Sequence, residues 1–272
     1  MTGTYTCNRL VEEARKKDIK LEIVGVHDCI LTKEGVINCS IHLEEKDFII
    51  NRYKWGAIKD ALNCLAKRAY NKIECSDTFK NKYLQVKNLR SEFFSIPKYA
   101  LGSFSTPFSF IENQIGAPFV AKALESSRGN EVYLIENESD FQYLRNKHEI
   151  DREWLFEEFI SESKGRDLRL ICIRGEAVAC MQRSSNGDFR ANVALGASVS
   201  KVEITPHLQN IARDIWQQTD LDIIGIDLLF GKEGYYLCEI NVMPGLQGIE
   251  KASGINVAAK IMKMIEQDLA CQ

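Results

Sequence analysis

Three oxygen-bearing side chains fall on one face of a hairpin late in the chain. Residues 223–230 and 235–242 read as two strands joined by Gly231-Lys232-Glu233-Gly234. With the turn centred near residue 233, positions 227 and 239 lie opposite each other. Asp227 and Glu239 then share a face, and Asn241, two residues past Glu239, joins them. Ile226, Leu228, Cys238 and Ile240 are expected on the other, buried side. Two carboxylates and an amide form the hard-oxygen set that Mg²⁺ accepts, with nucleotide phosphates completing its shell. A solvated hairpin face is the bland alternative, although such faces usually mix in Lys, Thr and Ser.

An earlier hairpin, 168–173 with 177–183 around Arg174-Gly175, brings Asp167 near Arg183, with Arg169 on the same face. Arg190 and Asn192 follow it. Arginine forks suit phosphate and carboxylate oxygens. Surface ion pairing, worth little energetically, is the competing explanation. Lys122 ends an apolar strand, where it either snorkels to water or meets phosphates as a compact charge. The loop after it carries Ser126, Ser127 and Gly129, small enough for backbone N–H groups to cover phosphates.

These groups need a scaffold, and the pattern divides into three parts. Residues 1–75 alternate helix and strand signals: a helix over 8–17, a strand over 21–26, a hairpin from 30–32 and 35–38, a strand over 48–51 and a helix over 57–67. That alternation suggests a small open α/β domain, which here begins on a helix and is expected to lack its first strand or to hold a very short one. Residues 76–160 carry helices over 79–89 and 109–114 and strands over 118–124, 132–135 and 154–160. Ser139 with Gln142 forms an expected capping box. Residues 161–272 carry the two hairpins, a helix from Pro206 to about 218, and a closing helix over 255–269.

The 272 residues have a formal net charge of -3, with 45% hydrophobic and 27% charged side chains. A globular protein with a core of useful size follows, with no electrostatic reason to expect nucleic acid or a membrane surface as partner. Nine cysteines without a C-x-x-C pair, several inside apolar runs, read as buried hydrophobes in a reducing compartment. With no long apolar run and no signal-peptide core, a cytoplasmic location is expected.

Several segments resemble the RimK-type ATP-grasp ligases. They are Glu158-Phe159-Ile160, Gly165-Arg166-Asp167-Leu168-Arg169, Gly187 through Asn192, Gly225 through Leu229, and above all Glu239-Ile240-Asn241-Val242-Met243-Pro244-Gly245 onward to Ile255. The resemblance covers about residues 45–265 and is strong from Pro118. It implies an ATP-grasp fold of mixed α/β and α+β character: an N-terminal α/β domain (1–75), a central lid (76–160) and a C-terminal part with the metal site (161–272). It implies a cytoplasmic enzyme that joins a carboxylate to an amine through an acyl phosphate. Glutamate or a similar amino acid would be added to a peptide, protein or small carboxylic acid, with ATP and two Mg²⁺ or Mn²⁺ ions. Relatives of this kind are often homo-oligomers.

By position, the resemblance makes Lys82 and Lys122 phosphate lysines and Ser127 and Gly129 part of the phosphate loop. Glu157, Glu158, Phe159 and Ile160 would form the adenine hinge, and Asp167 a carboxylate at the ribose. Arg183 and Arg190 would meet the γ-phosphate and developing charge beside Asn192, and Asp227, Glu239 and Asn241 would hold metal. Two departures stand out. Asn81 precedes Lys82 where Asp is usual, and the phosphate loop has one glycine where the family is richer. The same machinery in natural-product biosynthesis differs only in substrate. A nucleotide-binding regulator without catalysis is a rival from another class, and one with no physical need for all of these groups.

Overall fold

The computed structural model describes residues 4–39, 41–53, 56–126, 130–191 and 196–271. The chain opens with helix α1 (Tyr5–Arg15), then a small antiparallel sheet, β1 (Cys29–Thr32), β2 (Gly35–Asn38) and β3 (Ile41–His42). Next come β4 (Lys46–Ile50), α2 (Ala57–Cys64) and β5 (Ala66–Tyr70), with β4 and β5 pairing in parallel. Helices α3 (Ile73–Phe79) and α4 (Lys82–Asn88) lead into a second sheet. It is formed by β6 (Tyr99–Ser103), β7 (Phe119–Ala123), β8 (Val132–Ile135) and β9 (Glu153–Glu158), in the order β6-β9-β7-β8. Helices α5 (Phe108–Ile115) and α6 (Glu138–Lys147) pack on it around an aromatic core that includes Phe104, Phe119, Phe141 and Trp154.

The third sheet contains β10 (Arg166–Ile173), β11 (Glu176–Ser184), β12 (Ser198–Lys201), β13 (Ile223–Gly231) and β14 (Gly234–Asn241). Its order is β12-β11-β10-β13-β14. Helix α7 (Pro206–Thr219) packs on the face that presents Leu168, Leu170, Ile226 and Ile240. Ile171, Ile173 and Ile223 face the other way. They pack with α9 (Val257–Ala270), α1 and Ile249 of α8 (Gln247–Ser253). Among the described residues no helix is long and apolar enough to cross a membrane.

Some sequence expectations give way. Residues 21–26 form no strand. Leu21 is partly buried against the core, but Ile23 and Val24 stay exposed, and β4 takes its backbone partner from β5 instead. The expected helix over 57–67 ends at Cys64 because its last residues enter β5. The expected helix over 79–89 is broken. Asn81 caps a new helix, its side-chain oxygen accepting from the Tyr83 and Leu84 amides. Helix α6 is capped by Asn137 rather than by Ser139 and Gln142, because the Asn137 side-chain Oδ1 accepts from the Ser139 and Asp140 amides. The closing helix is preceded by the short α8, stopped at Gly254 in the left-handed conformation.

Two buried amides tie the third sheet to what precedes it. Asn71 donates to the carbonyls of Ile223 and Val242 and accepts from the Ile223 amide. Gln85 donates to the carbonyls of Phe79 and Ile240 and accepts from the Ile240 amide. Gln85 therefore fixes α4, which begins at Lys82, against β14. Gln85→Ala removes three hydrogen bonds and orphans buried backbone groups, so a loss of about 3 kcal/mol is expected in urea unfolding. An unchanged midpoint would deny that clasp.

Candidate active site

One face of β10 changes character along its length. Asp167 and Arg169 are polar, whereas Ile171 and Ile173, two and four positions on, lie in the core beneath the C-terminal helices. Cross-strand pairing sets Asp167 opposite Arg183 on one side and Arg169 opposite Asp227 on the other. The result is a buried ladder of alternating charge. Arg183 grips Asp167 with both ends of its fork, at 2.6 Å each, and also lies 2.9 Å from Asp227. Arg169 grips Asp227 at 2.6 and 2.5 Å, and the Asn241 amide donates to Asp227 at 3.3 Å.

Burial alone would raise the Asp227 carboxyl, but Arg169 and Arg183 outweigh it and hold it at about 2. Burial pushes Asp167 up to about 6 against the pull of Arg183. Arg183 loses to burial and gains more from the two aspartates, so it stays charged. The two guanidiniums thus favour the charged form of Asp227.

Glu239 stands opposite Asp227 in the pairing of β13 with β14, and Asn241 opposite Gly225. Gly225 lets the chain pass close there, since a Cβ would lie 3.0 Å from Pro244 Cβ, a tight contact that Pro244 would have to yield to. The register slips between Asp227 and Leu228, a bulge on β14. Its consequence corrects one sequence expectation. Ile226, Leu228 and Ile240 are in the core as expected, but Leu237 takes the buried place and Cys238 turns to the cleft. The Cys238 carbonyl accepts from Lys122 at 3.3 Å, and burial pushes the thiol up to about 12.

The two lysines approach from different elements. Lys82, at the first position of α4, donates to the Ser126 carbonyl at 3.1 Å and lies 3.6 Å from Glu239. Lys122, on β7, is ion-paired with Glu157 on β9. Burial works against that ammonium, but Cys238 and Glu157 more than offset it and raise its pKa. Because the Cys238 thiol is neutral, the working counter-charge is Glu157.

Glu157, Glu158, Phe159 and Ile160 continue from β9 along the wall of a narrow cavity of about 110 Å³, shared with Lys82, Lys122, Asp167, Arg183, Arg190, Asp227 and Glu239. Arg190 forks onto Asp188 at 3.0 and 2.7 Å and sits over the Phe189 ring, so it lines the cavity without joining the Asp167–Asp227 ladder. Phe189 meets Phe159 edge-on, with centroids 6.3 Å apart. Ser127, Gly129 and Asn192 lie outside the described residues. A second, larger cavity of about 1180 Å³ shares Arg183 and Glu239 with the first and extends between β14, the loop after it and the N-terminal region.

The residues fit a nucleotide and a metal ion. Glu157 Oε1 is a buried acceptor with no hydrogen-bond donor among the described residues, and an adenine amino group is the kind of donor it lacks. Among the described residues, Glu239 meets only Lys82, at 3.6 Å. Among the described residues no three His, Cys, Asp or Glu side chains converge to hold an ion by themselves, so phosphate oxygens would have to complete the shell. Sequence reasoning put Arg169 in the arginine cluster on the Asp167 face but did not pair it with Asp227, because its partner strand β13 is distant in the chain. Nor did it single out the backbone contacts of Ser126 and Cys238.

A family model described as a RimK-like ATP-grasp domain matches residues 76–265. A probable α-L-glutamate ligase of Histophilus somni is 28% identical over 283 residues, spanning 97% of this chain and 95% of the relative. A ribosomal protein bS6–L-glutamate ligase of Salmonella schwarzengrund is 29% identical over 285 residues, spanning 97% and 92%. Among solved structures, a RimK domain protein from Sphaerobacter thermophilus superposes with a TM-score of 0.72 at 15% identity, covering 96% and 95% of the two chains. The ATP-grasp ligase PsnB in complex with a minimal precursor gives 0.73 at 13%, covering 97% and 95%. The chain belongs to the RimK-like ATP-grasp family of ligases, and its fold is the ATP-grasp fold.

Proposed function

We propose, taking membership of that ligase family as premise, that the chain uses ATP to join a carboxylate to the amine of glutamate or a similar amino acid. The acceptor would be a peptide, a protein or a small acid. The observation that carries this reading is the meeting of the two cavities at Arg183 and Glu239. A nucleotide in the narrow cavity would present its terminal phosphate at that junction. The other substrates would arrive from the larger cavity. The glutamate preference is supported by the names of the two relatives that align over nearly the whole chain.

In the first step a substrate carboxylate oxygen attacks the γ-phosphorus and the bond to the β-phosphate oxygen breaks, leaving an acyl phosphate and ADP. Lys82 and Lys122 would hold phosphate oxygens, and Arg183 and Arg190 would meet the charge that develops on the transferred group. In the second step the amine nitrogen attacks the acyl carbon, inorganic phosphate leaves and the amine loses a proton. Glu157 would accept from adenine, with Phe159 and Ile160 against its ring and Asp167 towards the ribose. Asp227, Glu239 and Asn241 would hold Mg²⁺, which would neutralise phosphate charge.

Charge on the cavity floor supports the metal requirement. Asp167, Asp227 and Glu239 are matched by Arg169, Arg183 and Lys82, so the cluster is neutral without ligand. The phosphates of ATP add strong negative charge beside Asp227 and Glu239. Divalent cations are the economical way to restore neutrality.

ADP release in the presence of Mg²⁺ and ATP, measured across the amino acids singly and paired with short peptides, tests the reading. One amino acid is expected to stimulate release, and a chelator to abolish it until Mg²⁺ is restored. Release that ignores every acceptor, or persists in excess chelator, would contradict it.

A further inference from the structure

The wall of the larger cavity holds a guanidinium that the chemistry above leaves unused. Arg52 follows β4, just past the carboxyl end of the parallel pair β4 and β5, and is part-buried on the cavity wall. Its fork has five N–H donors, and one nitrogen donates to the Pro244 carbonyl at 3.0 Å. No Asp or Glu is paired with it among the described residues. The other two arginines on that wall are neutralised, Arg169 by Asp227 and Arg183 by Asp167 and Asp227. Burial lowers the pKa of Arg52, as expected of a charge drawn away from water without an acid opposite.

The Pro244 contact has a second meaning. Pro244 lies three residues beyond Asn241, so Arg52 is tied to the loop that leaves the Asp227–Glu239–Asn241 face. A part-buried cation with spare planar donors, fixed relative to the reacting end of a cavity, suits an anionic group on the molecule that fills it. The amino acid that supplies the amine keeps its α-carboxylate unreacted throughout. We infer that Arg52 binds the α-carboxylate of the amine-donating amino acid, orienting its amine towards the junction at Arg183 and Glu239. This rests on the ligase reading above.

The test is calorimetric binding to the full chain with Mg²⁺ and a non-hydrolysable ATP analogue. The probes are glycine, alanine, aspartate, glutamate and lysine, each compared with its own α-carboxamide. The wild-type chain is expected to bind one acid at least about tenfold more tightly than its amide. Arg52→Gln, which keeps an N–H for Pro244, should bind acid and amide alike, with unchanged nucleotide affinity and melting temperature. Arg52→Lys should retain part of the discrimination. Three results would overturn the inference: no acid bound or preferred by the wild type, full discrimination in Arg52→Gln, or a parallel loss of nucleotide affinity or melting temperature in that variant. A wild type that discriminates acid from amide yet forms no amide product would sink the ligase reading and leave Arg52 as a carboxylate site.

Discussion

Glu239→Ala is expected to lower kcat by roughly 10²–10³-fold, the scale on which a single preorganised electrostatic group acts in catalysis, with little change in stability. The two halves of that expectation have separate causes. Glu239 keeps about a quarter of its side-chain surface exposed, and its ion-pair partner, Lys82, is 3.6 Å away. Truncating such a partly exposed group costs on the order of 1 kcal/mol or less. Its value would lie in what it offers a cation: two carboxylate oxygens on the strand position opposite Asp227. Without it Asp227 and Asn241 remain, and Asp227 is already gripped by two arginines. Metal affinity should therefore weaken as well, and raising Mg²⁺ should recover part of the rate. ADP release measured over a range of Mg²⁺ concentrations, beside a thermal melt, gives both quantities. Wild-type turnover in this variant would remove Glu239 from the metal site. Asp227→Ala would be a poorer experiment, because it strips Arg169 of its counter-charge, leaves the buried Arg183 with Asp167 alone, and confounds folding with chemistry.

The placing of Asp227, Glu239 and Asn241 on neighbouring strands was legible in the sequence because a hairpin is local. A short turn between two apolar runs sets the register, and strict alternation sorts the side chains onto two faces. Even there the agreement has two parts. The turn closes with Gly231 opposite Gly234, half a residue earlier than a centre at 233, and the bulge after Asp227 restores Glu239 to its place. That bulge has no signature in the sequence, and Cys238 was therefore assigned to the wrong side. The pairing of Arg169 with Asp227 was out of reach for a different reason. The two lie 58 residues apart, and nothing local says that β10 runs between β11 and β13. The unformed strand at 21–26 shows the converse error. Apolar content alone does not make a strand when no neighbouring backbone is available to pair.

The second large effect is expected at Lys122, where stability and ligand binding separate. Lys122 and Glu157 are nearly devoid of solvent, and each is the other's ion-pair partner. Lys122→Met leaves Glu157 a buried carboxylate without a counter-ion, and breaking such a pair from one side costs about 3–5 kcal/mol. For a chain of this size that corresponds to a fall in melting temperature of roughly 10 °C. Removing both charges, as in Lys122→Met with Glu157→Leu, should recover most of that loss, because a well-packed apolar pair avoids the desolvation cost that the ion pair carried. Nucleotide affinity should not recover. The double variant lacks both the ammonium that would meet phosphate and the buried Oε1 that would accept from adenine, so it should bind ATP at least about tenfold more weakly than wild type. Melting curves and nucleotide titrations of the four members of this cycle settle the matter. If the double variant regained ATP affinity along with stability, the pair would be a structural rivet, and the nucleotide would have to be held by Lys82, Arg183 and the hinge backbone alone.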